Sequence, residues 1–470
     1  MKLGFKVHYA VGCLGILSFS CGFAPPPSQS IGADVIVTAA PIYEELAAVH
    51  GGERFPHGAR LLLIHNGTAT PLLPGFAGSA DASVSFDGSA VLFSGRKDAG
   101  DAWQIYELTL SDRKVRRISE STSDAIRPLY LPGWRLVYAQ KSGAHFQMIS
   151  ARLADTEAIQ EIEGKGVPTA FPISFAAVSA IPSDVMADGR ILFESGFPLG
   201  EGGTPELYLA YSDGSGVESY RCDHPTKELD ARYGGHQLTS GDVVFTHGAR
   251  LARFSSPMAQ EEGIPAPPAD YAGRIAEAGS GDWLFSVRKS VTDSFALKLW
   301  RPGSPGLRSF FAQTGSNLID PVLVAARNRP RRHPSALHDW DYANLLALDT
   351  RISRDGPLTA APASVRLETR DDSGRAVTMG TAPVEADGSF FVKAPADRPI
   401  RFALLDARGE IIRQEHGWFW SRRGEQRYCV GCHAGPEHAP ENRVPAVLTR
   451  TTMPVDLTGT ASQQPQRGGN

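Results

Sequence analysis

The residues with the clearest chemistry in this 470-residue chain lie near its C-terminus. Cys429, Cys432 and His433 belong to the sequence Cys-Val-Gly-Cys-His. Two thiols at this spacing can each add to a vinyl group of haem, while the imidazole that follows binds the iron. The motif therefore predicts one covalently attached c-type haem, with His433 as the proximal ligand of the iron.

Two other uses of the cysteine pair fit the same spacing. One is a redox-active disulfide between Cys429 and Cys432, and the other is a zinc site that also uses His433. Zinc would need a fourth ligand, for which the candidates are Cys222, His224 and His438. Only five cysteines occur in the chain, and they are too scattered to predict a disulfide framework.

Aromatic and basic side chains flank the motif. Trp418 and Trp420 supply flat apolar area that suits a macrocycle, and Arg423 and Arg427 are candidates to pair with its propionates. Each of these residues is equally well explained as an ordinary core aromatic or a solvated arginine.

The sixth position on the iron is left open by the sequence. A methionine ligand would raise the reduction potential and suit electron transfer, whereas a vacant position would permit chemistry on small ligands. The candidate ligands are Met453, His438, His416, His333 and His338.

The chain begins with a pattern typical of an export signal. Two lysines precede an apolar run from Tyr9 to Phe19, which is too short to span a bilayer. Cleavage is expected either after Ala24 or just before Cys21, and in the second case a lipid would be attached to the cysteine. Residues 1–24 are therefore predicted to be a signal peptide, and the mature protein to be periplasmic or anchored by lipid, with no transmembrane span.

The composition limits both the fold and the partners. The 47 basic and 51 acidic residues give a net charge of -4, which does not favour nucleic acid as a partner. Glycine (48 residues) and proline (34 residues) are frequent, whereas long apolar stretches with helical periodicity are scarce. These features predict a mainly β protein with many short strands.

A repeated strand pattern fills the first two thirds of the chain. Short apolar strands end in an aromatic residue at intervals of 40 to 55 positions, namely at Phe93, Tyr138, Phe193, Phe245 and Phe285. Intervals of this size are typical of one four-stranded blade per repeat, and the pattern resembles WD40-like β-propellers of the Tol-associated type. A six- or seven-bladed β-propeller is predicted over residues 35–335, with a pair of β-sandwiches as the alternative.

The repeats end at a join rich in proline and arginine, residues 329–334, because proline cannot pair within a central strand. Alternating strands separated by Asp-Gly turns then predict a small antiparallel β-sandwich over residues 336–415. A c-type haem-binding segment is predicted to follow over residues 416–457. The tail, residues 458–470, is expected to be disordered.

The residues around the motif resemble a known family. Asp387-Gly388-Ser389, then Leu404-Leu405-Asp406 and Arg423-Gly424-Glu425, lead into the cysteine motif in an order similar to the middle domain of the hydrazine synthase alpha subunit family. The resemblance spans about residues 320–450 and implies an exported propeller followed by a haem-bearing domain.

The resemblance does not imply hydrazine synthesis. This chain has a single CxxCH motif, whereas the family's enzyme carries more than one haem in this subunit and has a tyrosine after its motif that this chain lacks. By similarity, Cys222 would approach His433 from the propeller.

These features predict an exported, c-type cytochrome-like protein with one covalent haem that exchanges electrons with a redox partner protein. One alternative is a haem enzyme, an oxidoreductase acting on a small nitrogen or oxygen compound. The other is a propeller that binds a protein or glycan and carries a structural haem. Six-coordinate low-spin iron would favour electron transfer, and high-spin iron that binds carbon monoxide or nitric oxide would favour catalysis. A haem that does not react with physiological reductants would favour the structural role.

Overall fold

The computed structural model describes residues 31–154, 169–220, 230–257, 259–353, 356–431 and 442–459. Within these ranges the strands form eight four-stranded sheets. The one helix among the described residues, α1 (Ala446–Arg450), is a little over one turn long. The prediction of a mainly β protein is confirmed. None of the described helical residues makes a segment long and apolar enough to cross a membrane.

Six of the sheets are antiparallel and are built from the chain between Asp34 and Val324. The first contains β1 (Asp34–Ala40), β2 (Arg60–His65) and β3 (Thr68–Pro71). The second contains β4 (Gly78–Val84), β5 (Ala90–Arg96), β6 (Gln104–Thr109) and β7 (Val115–Arg117). The third contains β8 (Ala125–Leu131), β9 (Arg135–Ser142), β10 (His145–Arg152) and β11 (Ala170–Pro172).

The remaining three follow in chain order. The fourth contains β12 (Ile181–Val185), β13 (Ile191–Gly196), β14 (Pro205–Ala210) and β15 (Glu218–Ser219). The fifth contains β16 (Arg232–Gln237), β17 (Val243–His247), β18 (Arg250–Phe254) and β19 (Glu262–Gly263). The sixth contains β20 (Asp270–Glu277), β21 (Trp283–Arg288), β22 (Ala296–Trp300) and β23 (Arg308–Phe311). The next strand, β24 (Asn317–Val324), returns to the first sheet and pairs with β1.

The innermost strands of these sheets contact one another in a closed circle. They are β4, β8, β12, β16, β20 and β24. Closure depends on β24, in which Leu323 pairs with Val35 and Asn317 with Ala40. The repeated aromatic-ended strands of the sequence are the second strands of five successive sheets, β5, β9, β13, β17 and β21. We call this part of the molecule, Asp34–Val324, the propeller-like ring.

The linker after the ring crosses its hairpin turns. The Arg327 amide donates to the Phe86 carbonyl, and the Arg331 amide donates to the Ala187 carbonyl, each at 2.9 Å. The linker passes so close to Gly189 that a Cβ there would lie 2.1 Å from the Arg331 carbonyl oxygen. Gly189 also has a φ of +91°, so the turn needs glycine for two reasons.

The last two sheets form a β-sandwich. One sheet has the order β27-β26-β29-β30, from β26 (Ser364–Arg370), β27 (Ala376–Pro383), β29 (Ile400–Leu405) and β30 (Ile411–Gln414). The other has the order β31-β25-β28-β32, from β25 (Tyr342–Ala347), β28 (Phe390–Pro395), β31 (Gln426–Cys429) and β32 (Val455–Asp456). Their facing apolar side chains share one core, as Leu345 and Val392 do with Val365 and Leu367.

The sandwich differs from the expectation in one respect. Strand β31 pairs in parallel with β25, and β32 pairs in parallel with β28, so this sheet is mixed rather than purely antiparallel. Both edge strands come from residues 416–457, which were expected to follow the sandwich as a separate segment. Between β30 and β31 the chain runs along the propeller-like ring. It then returns to the sheet that contains β25 and runs in the same direction as that strand.

Candidate cofactor segment

Cys429 is the part of the CxxCH motif that lies in the described structure, while Cys432, His433 and His438 lie outside the described residues. Cys429 ends β31 and pairs with Ala347 of β25, and its carbonyl accepts a hydrogen bond of 2.9 Å from the Leu348 amide. Its half-buried side chain packs against the sandwich core. Strand β31 lies at the edge of its sheet, so the last residue of the strand is open on one side.

The surroundings of Cys429 favour a neutral thiol. Burial raises the pKa of the Cys429 thiol, and the positive charge of Arg427 only partly opposes this. The thiolate is the form that reacts in disulfide exchange and binds zinc, so the raised pKa opposes both uses at Cys429 itself. The other residues that these alternatives need, Cys432 and His433 and the candidate fourth zinc ligands Cys222, His224 and His438, lie outside the described ranges, so both alternatives stay predictions.

The chain returning from the motif is fixed at Asp387, in the turn between β27 and β28. Arg443 Nη1 donates to Asp387 Oδ2 at 2.6 Å, and the Ala446 amide donates to the same oxygen at 2.7 Å. The Val447 amide donates to Ser389 Oγ at 3.1 Å. Both ends of the segment between Gly431 and Asn442 are thus tied to the sandwich.

Trp418 and Trp420 lie between the sandwich and the propeller-like ring. Trp418 is 2% exposed, and its Nε1 donates to Glu201 Oε1 at 2.9 Å. Trp420 Nε1 donates to the Gly214 carbonyl at 2.9 Å, and its ring packs against Phe193 in the core of the fourth sheet. Both indole N–H groups therefore bond to the propeller-like ring, and the role of the two tryptophans in lining a haem stays a prediction.

The predicted propionate partners are also engaged in the described structure. Arg427 Nη2 donates to the Val217 carbonyl of the ring at 2.6 Å. Arg423 is largely exposed, and its Nε lies 3.2 Å from Asp397 Oδ2. Only Arg423 retains a largely exposed side chain, so it is the better placed of the two to meet a propionate.

The candidate sixth ligands are widely separated. The imidazole of His333 stacks on Tyr211 of the propeller-like ring, with 4.0 Å between the centroids of the two side chains, and Met453 is 69% exposed. His416 is exposed and lies just before the interface tryptophans. His338 Nε2 lies 2.9 Å from the Gln426 side-chain amide nitrogen, which places it beside β31. Of the candidates in the described ranges, His338 is the one in contact with the strand that carries Cys429.

A second cluster, which the sequence analysis missed, lies at the centre of the ring. Arg54 Nη1 lies 2.5 Å from Asp81 Oδ1, and Arg54 Nη2 lies 2.8 Å from Asp320 Oδ2. Arg127 Nη2 lies 3.5 Å from Glu194 Oε1. All five side chains are buried, and the guanidinium of Arg54 helps to hold the pKa of Asp320 well below its usual range.

A sequence signal for this central cluster does exist. Arg127 and Asp320 interrupt mainly apolar innermost strands, Asp81 lies in an innermost strand of small residues, and each of the three has a φ between +55° and +57°. Positive φ at aspartate and arginine marks bulges in these strands, where the register shifts. A charged residue inside an otherwise apolar strand is the pattern that would have indicated the cluster.

The connection between β1 and β2 covers the central cluster. It contributes Arg54 as well as Tyr43 and Glu45, and Tyr43 packs on Phe55 and Phe295. Burial raises the pKa of Glu45 to about 8, so this carboxyl is mainly protonated at neutral pH. The adjoining cavity, lined in part by Arg54 and Asp81, measures about 30 Å³ and has room for one or two waters rather than for a cofactor.

The part of the chain that leads into the CxxCH motif is similar to a known protein family. Residues 360–434 match the family model of the hydrazine synthase alpha subunit middle domain. The match covers most of the sandwich and extends through the CxxCH motif, so it supports the resemblance found in the sequence. No curated protein matches the chain.

Solved structures resemble the chain over a longer stretch. Kuenenia stuttgartiensis hydrazine synthase has a TM-score of 0.76 at 16% identity, covering 89% of this chain and 71% of that one. At this identity the similarity shows a shared fold. TolB from Acinetobacter baumannii has a TM-score of 0.44 at 11% identity, covering 63% of this chain and 67% of its own.

Proposed function

We propose that this protein is an exported, c-type cytochrome-like redox protein. One haem would be held covalently by Cys429 and Cys432, with His433 on the iron, and would supply reversible one-electron transfer. The observation that carries this proposal is the CxxCH motif, which begins at the last residue of β31 within a region that matches the hydrazine synthase alpha subunit middle domain.

The described structure supports a rigid mount for this segment. Cys429 is tied to β25, and the returning chain is tied to Asp387, so both ends of the segment are held by one sandwich. We infer that the propeller-like ring is a six-bladed β-propeller that serves as a platform for the sandwich. A redox partner protein would dock on the exposed side of β31. The predicted signal peptide at residues 1–24 would direct the protein to the periplasm, where it would be free or anchored by lipid at Cys21.

A second function, catalysis at an open iron, is favoured by where the candidate sixth ligands lie. In the described structure His333 stacks on Tyr211 of the ring, and Met453 projects into solvent. If neither residue reaches the iron, and none of His338, His416 and His438 binds it, a small nitrogen or oxygen compound would have access to the metal.

The test is expression of the full chain together with a cytochrome c maturation system. We expect the mass of the mature polypeptide plus one haem, a c-type pyridine haemochrome spectrum, and loss of both in the C429S/C432S double variant. The C222S variant is the control and should keep its haem. Low-spin six-coordinate iron would support electron transfer, and high-spin iron that binds carbon monoxide would support catalysis. A mature wild-type chain with the bare polypeptide mass would overturn the proposal.

A further inference from the structure

We propose that one face of the propeller-like ring docks on an anionic phospholipid surface. The β4–β5, β8–β9 and β12–β13 turns form this face together with residues 325–334, which cross them. We call it the linker face. Docking of this kind rests on the export proposed above, but it does not depend on the haem.

The linker is fixed to the turns that it crosses. It begins beside Gly88, where a Cβ would lie 3.0 Å from the Ala325 carbonyl carbon. Farther on, the Arg331 amide is bonded to the β12–β13 turn, and the Arg332 side chain passes 3.5 Å from the place of a Cβ on Gly133. The arginines of the linker are therefore held against the ring.

Three arginines and one tryptophan of the linker face are exposed. Arg329, Arg331 and Arg332 are exposed, and no acidic side chain within the described ranges forms an ion pair with them. Trp134, in the β8–β9 turn, is 54% exposed. Guanidinium groups bind phosphate through two parallel hydrogen bonds, and tryptophan is favoured where water meets the apolar part of a bilayer. The two together fit a phospholipid surface, whereas an acidic protein surface would match only the arginines.

Acidic side chains of the crossed turns do not cancel this charge. Asp188 is paired with Arg190 at 2.8 Å. Asp87 is the other acidic residue of these turns, so three guanidinium groups are set against one carboxylate. Attraction to a bilayer acts over about 8 Å at physiological ionic strength. The local surplus of positive charge therefore outweighs the net charge of -4 of the whole chain.

The chain enters the ring on the same face. Asp34, the first residue of β1, pairs with Val324, the last residue of β24, and the linker begins at the next residue. Ten residues lead from Cys21, the candidate lipidation site, to Ile31, and they can reach at most about 35 Å. A lipid on Cys21 would therefore keep the linker face within reach of the membrane, and the arginines would set the orientation of the ring on its surface.

The test measures how the full chain carrying C21S, purified after export, sediments with phospholipid vesicles. Because this variant cannot carry the lipid, binding reports on the linker face alone. We expect it to bind vesicles of phosphatidylglycerol and phosphatidylethanolamine at low salt, to be released at high salt, and not to bind phosphatidylcholine vesicles. Adding R329Q/R331Q/R332Q should weaken binding about fivefold per arginine, or about 100-fold in all. Adding W134A should weaken it as well.

A matched triple variant controls for the loss of charge. R60Q/R250Q/R408Q removes three arginines that are equally exposed and lie outside the linker face. Arg60 and Arg250 begin β2 and β18, at the opposite face of the ring, and Arg408 belongs to the sandwich. The C21S protein with this triple substitution should bind the anionic vesicles as tightly as C21S alone.

Equal weakening in the two triple variants, or equal binding to phosphatidylcholine, would overturn docking on anionic lipid. So would a C21S protein that binds polyglutamate but not the anionic vesicles, which would assign the linker face to an acidic protein instead. Retention of residues 1–24 by the wild-type chain would overturn the proposed export. Mass spectrometry detects that failure independently of vesicle binding, so the two failures are distinguishable.

Discussion

Trp418 Nε1 donates a hydrogen bond to Glu201 Oε1 across the boundary between the sandwich and the propeller-like ring. The same indole lies beneath two guanidinium groups of the sandwich, Arg370 at 4.7 Å and Arg401 at 4.2 Å from the ring centroid. One side chain therefore joins both parts of the molecule through a polar and a cation–π contact.

Replacing Trp418 should weaken the contact between the sandwich and the propeller-like ring. We expect W418A to lower the free energy of unfolding by about 3–5 kcal/mol, because a large buried aromatic is removed and a cavity remains. Urea denaturation followed by circular dichroism measures the loss. W134A removes a tryptophan that is 54% exposed and should change little. Equal losses in the two variants would contradict the role of Trp418.

Arg54 neutralises two buried carboxylates at the centre of the ring. In R54M, Asp81 and Asp320 keep their burial but lose the guanidinium that they share, and Asp320 retains Arg127 at 4.0 Å. We expect a loss of about 3–5 kcal/mol in the free energy of unfolding at pH 7. The loss should shrink towards pH 4, because protonation removes the uncompensated charges. Urea denaturation at both pH values tests this. R60M, at an exposed position, is the control. A loss of stability in R54M that is the same at both pH values would contradict this prediction.

Glu45 should make the protein less stable in base. Its pKa is raised from 4.5 to about 8, so its contribution to stability is present below pH 4.5 and is lost as the pH rises through 8. Glutamine stays neutral, so the Tm of wild type should fall more than the Tm of E45Q between pH 5 and pH 9. Thermal unfolding across this range gives the answer. E44Q changes an exposed neighbour and should retain the wild-type slope.

Gly388 and Gly374 form a matched pair of turn glycines, with φ of +83° and +80°. Alanine at Gly374 meets nothing within 4 Å and should cost only about 1 kcal/mol of backbone strain. Alanine at Gly388 would place its Cβ 2.3 Å from Asp349 Oδ1, so Asp349 or the turn must move. We expect G388A to be the more destabilised variant in urea denaturation. Similar losses would show that the close approach is relieved without cost.

Local patterns were sufficient to predict many of the strands. The strands that contain Phe93, Phe193 and Phe245 lie where the turn-and-strand repeat indicated, since alternation and Asp-Gly turns act within a few residues, although each strand runs two or three residues past its aromatic. The same signal indicated sandwich strands within residues 336–415, but not the edge strands β31 and β32. Residues 360–434 also carried enough of the motif order to indicate the family relationship.

Contacts between distant residues could not be predicted from these patterns. Arg54 and Asp320 meet across 266 positions, and no periodicity encodes that pairing. Trp418 and Trp420 illustrate the same limit, because an aromatic residue has the same apolar signature beside a cofactor and beside another domain. Only their neighbours in space, Glu201 and Gly214, distinguish the two situations.

The pairing of β24 with β1 sets the order in which the molecule can be completed. The first sheet lacks its innermost strand until Asn317–Val324 has been made, so the edge of β1 stays unpaired during synthesis of most of the chain. Joining strands so far apart in sequence is slow, because a long loop must close before the new contacts offset its entropy cost. Until β24 arrives, the edge of β1 is therefore open to pairing with other chains.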